Sequence, residues 1–134
     1  MSEPGPAEFY RAYIDCLNGQ DWSSLGQFVD GRVVHNGRPL GLGGYREILE
    51  GDFSDIPDLR FVIDILTPSA RHIGSRLVFD CSPRGVFLGL PVMGRRVRFA
   101  EHAFYGVRSG RIVEVWSIID KAAIESQLAG SDPG

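Results

Sequence analysis

Cysteine is nearly absent from this chain. Its two thiols, Cys16 and Cys81, stand far apart in apolar surroundings with no CxxC spacing. A cysteine-rich disulfide framework and a zinc ribbon are thereby excluded, and two buried free thiols are expected. Histidine is scarce too, with only His35, His72 and His102 in the chain. A three-histidine metal centre would need all of them to converge, and Arg71-His72 reads as an exposed strand entry, so no metal is expected. Long apolar runs are missing. No stretch approaches the roughly 18 residues that cross a bilayer, and Met1 to Ala7 has neither the basic nor the apolar part of a secretory leader. The expectation is a cytoplasmic protein with no membrane partner. Runs of like charge are missing as well. A net charge of −3, a pI near 5.5 and scattered arginines leave no footprint for a phosphate backbone, so nucleic acid is not an expected partner. There is no GxSxG elbow, no HExxH, no dinucleotide fingerprint and no phosphate-loop pattern. Any catalysis is therefore read as proton transfer without a cofactor.

What the chain does have is an ordinary globular composition, 134 residues with 43% hydrophobic and 23% charged, which suits a single domain over 1–134. Phe9, Tyr10, Tyr13, Ile14 and Leu17 recur at helical spacing after Pro4 and Pro6, and Asn18-Gly19 supplies a stop, which predicts a first helix of about four turns. Asp21 is placed to cap a short second helix carrying Trp22, Leu25 and Phe28. A strand at Arg32 to His35 ends in the Asn36-Gly37 turn, and Tyr45, Ile48, Leu49 and Phe53 mark a third amphipathic segment. From Leu59 the period changes to β: Leu59 to Leu66, Arg71 to Cys81, Val97 to Val107 and Ile112 to Ile119 are rich in branched and aromatic residues. Ser109-Gly110 joins the last two as a tight hairpin.

Helices first and strands afterwards predict an α+β fold, with N-terminal helices packed into a strongly curved antiparallel sheet to give a cone-shaped barrel around one pocket. The last strand is apolar at almost every position, so both faces are expected to be covered, one by the cavity and the other by a second subunit. A homodimer is the expected assembly.

Asp120 ends that apolar strand. Burial there would raise its pKa towards neutrality, as a general acid/base requires; equally, it is placed to cap a helix over Lys121 to Leu128. A two-residue hairpin loop sets Glu101 opposite Ile118 and Phe99 opposite Asp120, so that Glu101 and Asp120 share a face. A bulge would substitute His102 for Glu101. Two carboxylates on one apolar wall can divide acid and base roles, because each pushes the other's pKa away from its own; the alternative is an ordinary pair on a half-exposed strand. His35 and Asn36 close the short strand, where an imidazole beside an amide can activate a carbonyl, or the pair is simply a turn. Tyr13 on the inner face of the first helix can donate to a developing enolate oxygen or be plain core. Trp22, Phe87 and Trp116 are the expected apolar walls.

Several segments together resemble one family: Asp30-Gly31-Arg32-Val33-Val34-His35-Asn36, Ile56-Pro57-Asp58-Leu59, Gly89-Leu90-Pro91-Val92-Met93-Gly94-Arg95, the stretch from Ser109 through Glu114, Trp116 and Ser117 to Asp120, and the closing Gln127-Leu128. From about residue 8 to residue 128 the chain is similar to the SnoaL-like polyketide cyclases, the ester cyclases of the nuclear-transport-factor-two-like superfamily. That resemblance implies intramolecular aldol ring closure without a cofactor, with Asp120 as general acid/base and with Asn36 and Tyr13 orienting the substrate. The helix segment Tyr13 to Asn18 is also similar to the one that carries the oxyanion tyrosine of ketosteroid isomerases. In that comparison Glu101-His102 fall near the protonated Asp and His35 near the base. The chain departs from the cyclases at Cys81-Ser82-Pro83, where many carry Gly-Thr-His, and at Gly106, where a basic residue is usual. The cyclases' strand histidine has His102 as its nearest counterpart.

The leading expectation is a cofactor-independent cyclase or isomerase acting on a polyketide-like or other bulky hydrophobic carbonyl compound. Two alternatives use the same scaffold. One is a non-catalytic binder of a small hydrophobic ligand. The other is an epoxide hydrolase, which would need Asp80 and Asp120 bridged by Arg98.

Overall fold

Pro6 opens the first helix, α1 (Pro6–Asn18), at the one helical position where a missing N–H costs nothing. Glu8 adds a favourable charge to its first turn. Tyr10, Tyr13, Ile14 and Leu17 form its buried stripe, the 3.6-residue period read from the sequence. At the helix end Asn18 does more than stop the helix: its amide accepts from Phe61 N at 2.8 Å and donates to Phe61 O at 2.9 Å, tying α1 to the entry of a distant strand. The computed structural model describes residues 4–130.

The expected second helix is a short 3-10 segment, Trp22–Gln27. Asp21 does not cap it with its side chain; the carboxylate instead accepts from the Ser23 hydroxyl at 3.1 Å. A second true helix, α2 (Gly41–Asp55), buries Tyr45 and Leu49. Strands β1 (Val29–His35), β2 (Val62–Pro68), β3 (His72–Cys81), β6 (Val97–Arg108) and β7 (Arg111–Ile119) form one sheet in the order β1-β7-β6-β3-β2. The fold is α+β, as expected, but two details differ. β1 runs parallel to β7, so the sheet is mixed rather than wholly antiparallel. The edge strands β1 and β2 do not pair with each other, so the sheet does not close into a barrel. α2 carries the chain from β1 at one edge to β2 at the other. Tyrosines and aliphatic residues of α1 and α2 meet Ile73, Leu77, Tyr105 and Val115 of the sheet in one buried cluster.

Ser109-Gly110 forms the expected two-residue turn, with φ of 51° and 75°, the left-handed pair that matches strand twist. Four residues back along β6 the ladder slips. A bulge between Gly106 and Val107 sets Tyr105 opposite Val115, Ala103 opposite Ser117, His102 opposite Ile118 and Glu101 opposite Ile119. The pairs expected from an unbroken ladder, Glu101 with Ile118 and Phe99 with Asp120, do not form. Because side chains alternate along a strand, this register puts Glu101, Tyr105, Val115 and Ser117 on the inner face. His102, Phe104, Trp116 and Ile118 point outward, the last three 59%, 40% and 71% exposed. Within one chain, then, only the inner face of β7 is covered.

Two small elements finish the frame. Val86–Phe87 (β4) and Leu90–Pro91 (β5) make a hairpin that brings the Phe87 ring to 5.7 Å from Phe99. α3 (Lys121–Ala129) docks beyond the end of β7, where Gln127 accepts from Arg98 N at 2.8 Å and so takes over a backbone partner of β6 that β7 is too short to reach. Among the described residues no helix is long and apolar enough to cross a membrane.

Candidate active site

On the inner face of the sheet two adjoining cavities, of about 70 and about 60 Å³, share Asp52, Phe61 and Glu101 as common wall. One is aromatic, lined by Phe61, Phe79, Phe87 and Phe99 together with Ile56 and Ile119. The rings of Phe61 and Phe79 meet edge to face at 5.3 Å, and those of Phe79 and Phe99 stack at 5.1 Å. The other is polar, and Tyr13, His35, Tyr45, Asp52, Glu101 and Ser117 converge on it. Three sequence candidates, Tyr13, His35 and Glu101, are thus brought together, with Phe87 on the neighbouring wall.

Glu101 faces inward because it alternates along β6 with the buried Ala103 and Tyr105, and the bulge brings Ser117 of β7 to the same face in place of Trp116. Burial pushes its carboxyl from the ordinary 4.5 up to about 7; a hydrogen bond with Ser117 works against that rise, and the Asp52 charge adds to it. Asp52 lies seven residues after Tyr45 and three after Leu49 on the inner stripe of α2, and burial raises it to about 6, with a smaller push from Asp55. Two carboxyls that burial raises toward neutrality therefore stand on the wall common to both compartments.

Two tyrosine pairs stand behind them. Tyr13 and Tyr45 share a hydrogen bond of 2.6 Å between their hydroxyls, and Tyr10 donates to Tyr105 at 3.1 Å. Burial raises all four pKa values, Tyr10 to about 12, so these phenols stay protonated at neutral pH. Two hydroxyls that share one hydrogen bond retain one free O–H between them, so the Tyr13–Tyr45 pair still has a proton to offer. His35 Nε2 lies 3.2 Å from the Ser117 hydroxyl, which places Ser117 between His35 and Glu101. Burial, then the Arg38 charge, lower the His35 pKa, so its ring is neutral at pH 7.

Asn36 is exposed and does not line either cavity. Its amide accepts from Ser117 N at 2.8 Å and donates to Ser117 O at 3.1 Å, holding the serine that His35 meets. Asn36 itself has φ of 48° in the turn with Gly37, a conformation asparagine tolerates better than most residues.

The remaining candidates lie elsewhere. Asp120 takes the capping role: its carboxylate accepts from Ala123 N at 3.1 Å at the start of α3, and it is exposed on the outer side, where its own N–H donates to Ala100 O. The bulge and the end of β7 at Ile119 together turn it away from the cavity. His102 and Trp116 are on the outer face for the same reason of register. Trp22 packs edge to face on Phe53 at 5.9 Å, outside both cavities. The Asp80–Arg98–Asp120 bridge required of an epoxide hydrolase is not built there. Asp80 is held by Arg96 at 2.6 Å and Arg98 at 3.2 Å on the exposed face, while Asp120 is occupied as a cap.

Asp52, Tyr45 and Ser117 escaped the sequence reading. The spacing Tyr45, Leu49, Asp52, Ile56 was the available signal, since it sets an acid on an otherwise apolar helical stripe. Nothing in the sequence marked Ser117, whose inward direction depends on the bulge.

A family model for SnoaL-like polyketide cyclases matches residues 7–128. A crystal structure of a SnoaL-like polyketide cyclase from Agrobacterium tumefaciens is 52% identical, with 94% of this chain and 99% of that one covered and a TM-score of 0.93. Wild-type IdmH from Streptomyces antibioticus (21% identity, 92% and 98% covered, TM-score 0.79) and TsrD from Streptomyces laurentii (21%, 91% and 92% covered, TM-score 0.79) share the fold. No curated protein matches the sequence. With the family model spanning nearly the whole chain and a relative more than half identical, the chain belongs to the SnoaL-like polyketide cyclase family.

Proposed function

We propose that the protein is a cofactor-independent acid/base enzyme that moves a proton alpha to a carbonyl group, in an isomerisation or as the opening step of an aldol ring closure. The observation that carries this reading is the convergence of two carboxyls, Asp52 and Glu101, with the Tyr13–Tyr45 hydroxyl pair on one cavity. Membership of a cyclase family supports it.

Asp52, the more acidic of the two, is the base and takes the alpha proton. The free O–H of the tyrosine pair and the protonated Glu101 donate hydrogen bonds to the oxygen that gains charge as the enolate forms. The enolate carbon then either recovers a proton from Asp52 at a different position or attacks a second carbonyl within the same molecule, whose oxygen takes the proton from Glu101. The proton taken by Asp52 then returns through solvent to Glu101, which resets the pair, while neutral His35 orients Ser117 against Glu101. Asn36 acts by holding Ser117.

The test is alpha-proton exchange of an enolisable ketone into deuterated water, followed by NMR. Asp52→Asn lowers the enzyme-dependent exchange rate about 10²-fold or more, the usual worth of a placed general base. Exchange by Asp52→Asn at the wild-type rate refutes the assignment. Ketone binding without exchange by the wild-type protein makes the cavity a binding site only.

A further inference from the structure

We infer that this cavity takes a neutral carbonyl compound of about one ring, rather than a multi-ring or anionic substrate, with the oxygen at the tyrosine pair and the hydrocarbon against the phenylalanines. The inference rests on the acid/base reading for the direction of the carbonyl, and on the walls themselves for size and charge.

Size comes first. The polar and aromatic compartments measure about 60 and about 70 Å³, and an apolar protein cavity of about 150 Å³ holds benzene. Together the two compartments approach one small ring, and a fused ring system is larger than both. The aromatic end is bounded by side chains already in ring contact, with Phe79 stacked on Phe99 at 5.1 Å and Phe87 tilted against Phe99 at 5.7 Å. In a close-packed wall of this kind a second ring meets atoms rather than space.

Charge comes second. The titratable groups that line the two compartments are Asp52, Glu101, His35 and the tyrosines, and no arginine or lysine is among the lining residues. Arg38, whose charge reaches His35, is exposed on the turn after β1. A carboxylate or phosphate entering this space would lose its water, meet two acids and find no cation to replace the lost hydration. A neutral ketone needs only one donor, which the tyrosine pair has to spare.

Polarity is graded along the cavity in the same sense. Donors gather at the Tyr13–Tyr45–Ser117 end, and hydrocarbon walls fill the Phe79–Phe87–Phe99 end. Asp52 and Glu101 stand at the junction, where the carbon next to a carbonyl would lie.

The experiment compares three probes by calorimetric titration: cyclohexanone, cyclohexanecarboxylate and the two-ring ketone 2-decalone. Each is titrated into the wild-type protein and into Phe87→Ala, and exchange of the ketone alpha protons into deuterated water is read in parallel. Cyclohexanone is expected to bind wild type at least tenfold more tightly than either of the other two. Phe87→Ala, which opens the aromatic end at a half-buried hairpin residue, is expected to tighten 2-decalone at least tenfold while cyclohexanecarboxylate stays weak. Phe87→Leu serves if the alanine variant does not fold. Wild-type protein that binds 2-decalone or cyclohexanecarboxylate as tightly as cyclohexanone, or that binds no cyclohexanone, overturns the inference. Cyclohexanone bound in the expected order but without exchange leaves the inference standing and removes the catalytic reading. Exchange of 2-decalone with no preference for one ring does the reverse.

Discussion

Replacing Glu101 by glutamine should stabilise the protein in mild alkali while impairing the site. In the unfolded chain this carboxyl ionises at its ordinary 4.5, whereas in the folded protein it holds its proton up to about 7. Between those values the native state binds a proton that the unfolded state has already released, so stability falls as pH rises through the window and then levels off. One pKa unit is worth about 1.4 kcal/mol. The rise therefore corresponds to about 3 kcal/mol of stability given up at pH 8 relative to pH 4.5, part of it shared with Asp52. Glutamine keeps the shape and cannot ionise. Urea unfolding of Glu101→Gln and wild type should give similar free energies near pH 5 and a variant more stable by about 2 kcal/mol at pH 8. Parallel stability curves for the two proteins across pH 5–8 would refute the claim that this carboxyl is held in a desolvated wall. The same variant should lose ketone exchange at every pH, because the amide replaces the proton donor.

Exchange in the wild-type protein is expected to rise with pH as Asp52 ionises through about 6 and to fall as Glu101 loses its proton through about 7. The result is a narrow bell that belongs to the pair, and Asp52→Asn should remove the acid limb along with most of the rate. Tyr45→Phe breaks the 2.6 Å bond to Tyr13; it should cost about 1–2 kcal/mol of stability and slow exchange roughly 10- to 10³-fold, to be read by urea unfolding and NMR. Asp120→Ala should cost about 1 kcal/mol through the lost cap and leave exchange unchanged. A loss of exchange of a hundredfold or more in that variant would return the acid/base role to Asp120, where the family resemblance had put it. We further propose that two copies of the chain pair through the outer sheet face, where Phe104, Trp116 and Ile118 are exposed side by side. Sedimentation at micromolar concentration should then show a dimer that Ile118→Lys converts to monomer, and a wild-type species of only 14.8 kDa would remove the idea.

The α+β class, α1 and the strand segments could be read from the sequence because each rests on local rules. The tyrosine and leucine spacing of α1 sets a stripe, Pro6 starts it, and Ser109-Gly110 permits only a tight turn. Family membership was legible for a related reason, since the hairpin segment through Glu114, Trp116 and Asp120 keeps its order whatever the strands do in space. Which of those side chains meet is a different matter. One extra residue on β7, Val113 opposite Gly106 and Val107, reverses the faces of β7 relative to an unbroken ladder, bringing Ser117 to the side of Glu101 and sending Trp116 outward, and no residue in the sequence announces it. Asp120 carried two equally good local readings, and only the end of β7 at Ile119 and the docking of α3 decided for the cap. Asp52 became a site residue because α2 crosses the open side of the sheet and faces Glu101 over a space neither element encloses alone. The sequence by itself determined the elements, their order and the family, through spacing and turn chemistry that act within a few residues. The tertiary structure alone decided the site, because a shared pKa environment and a cavity wall arise only when groups distant along the chain are desolvated together.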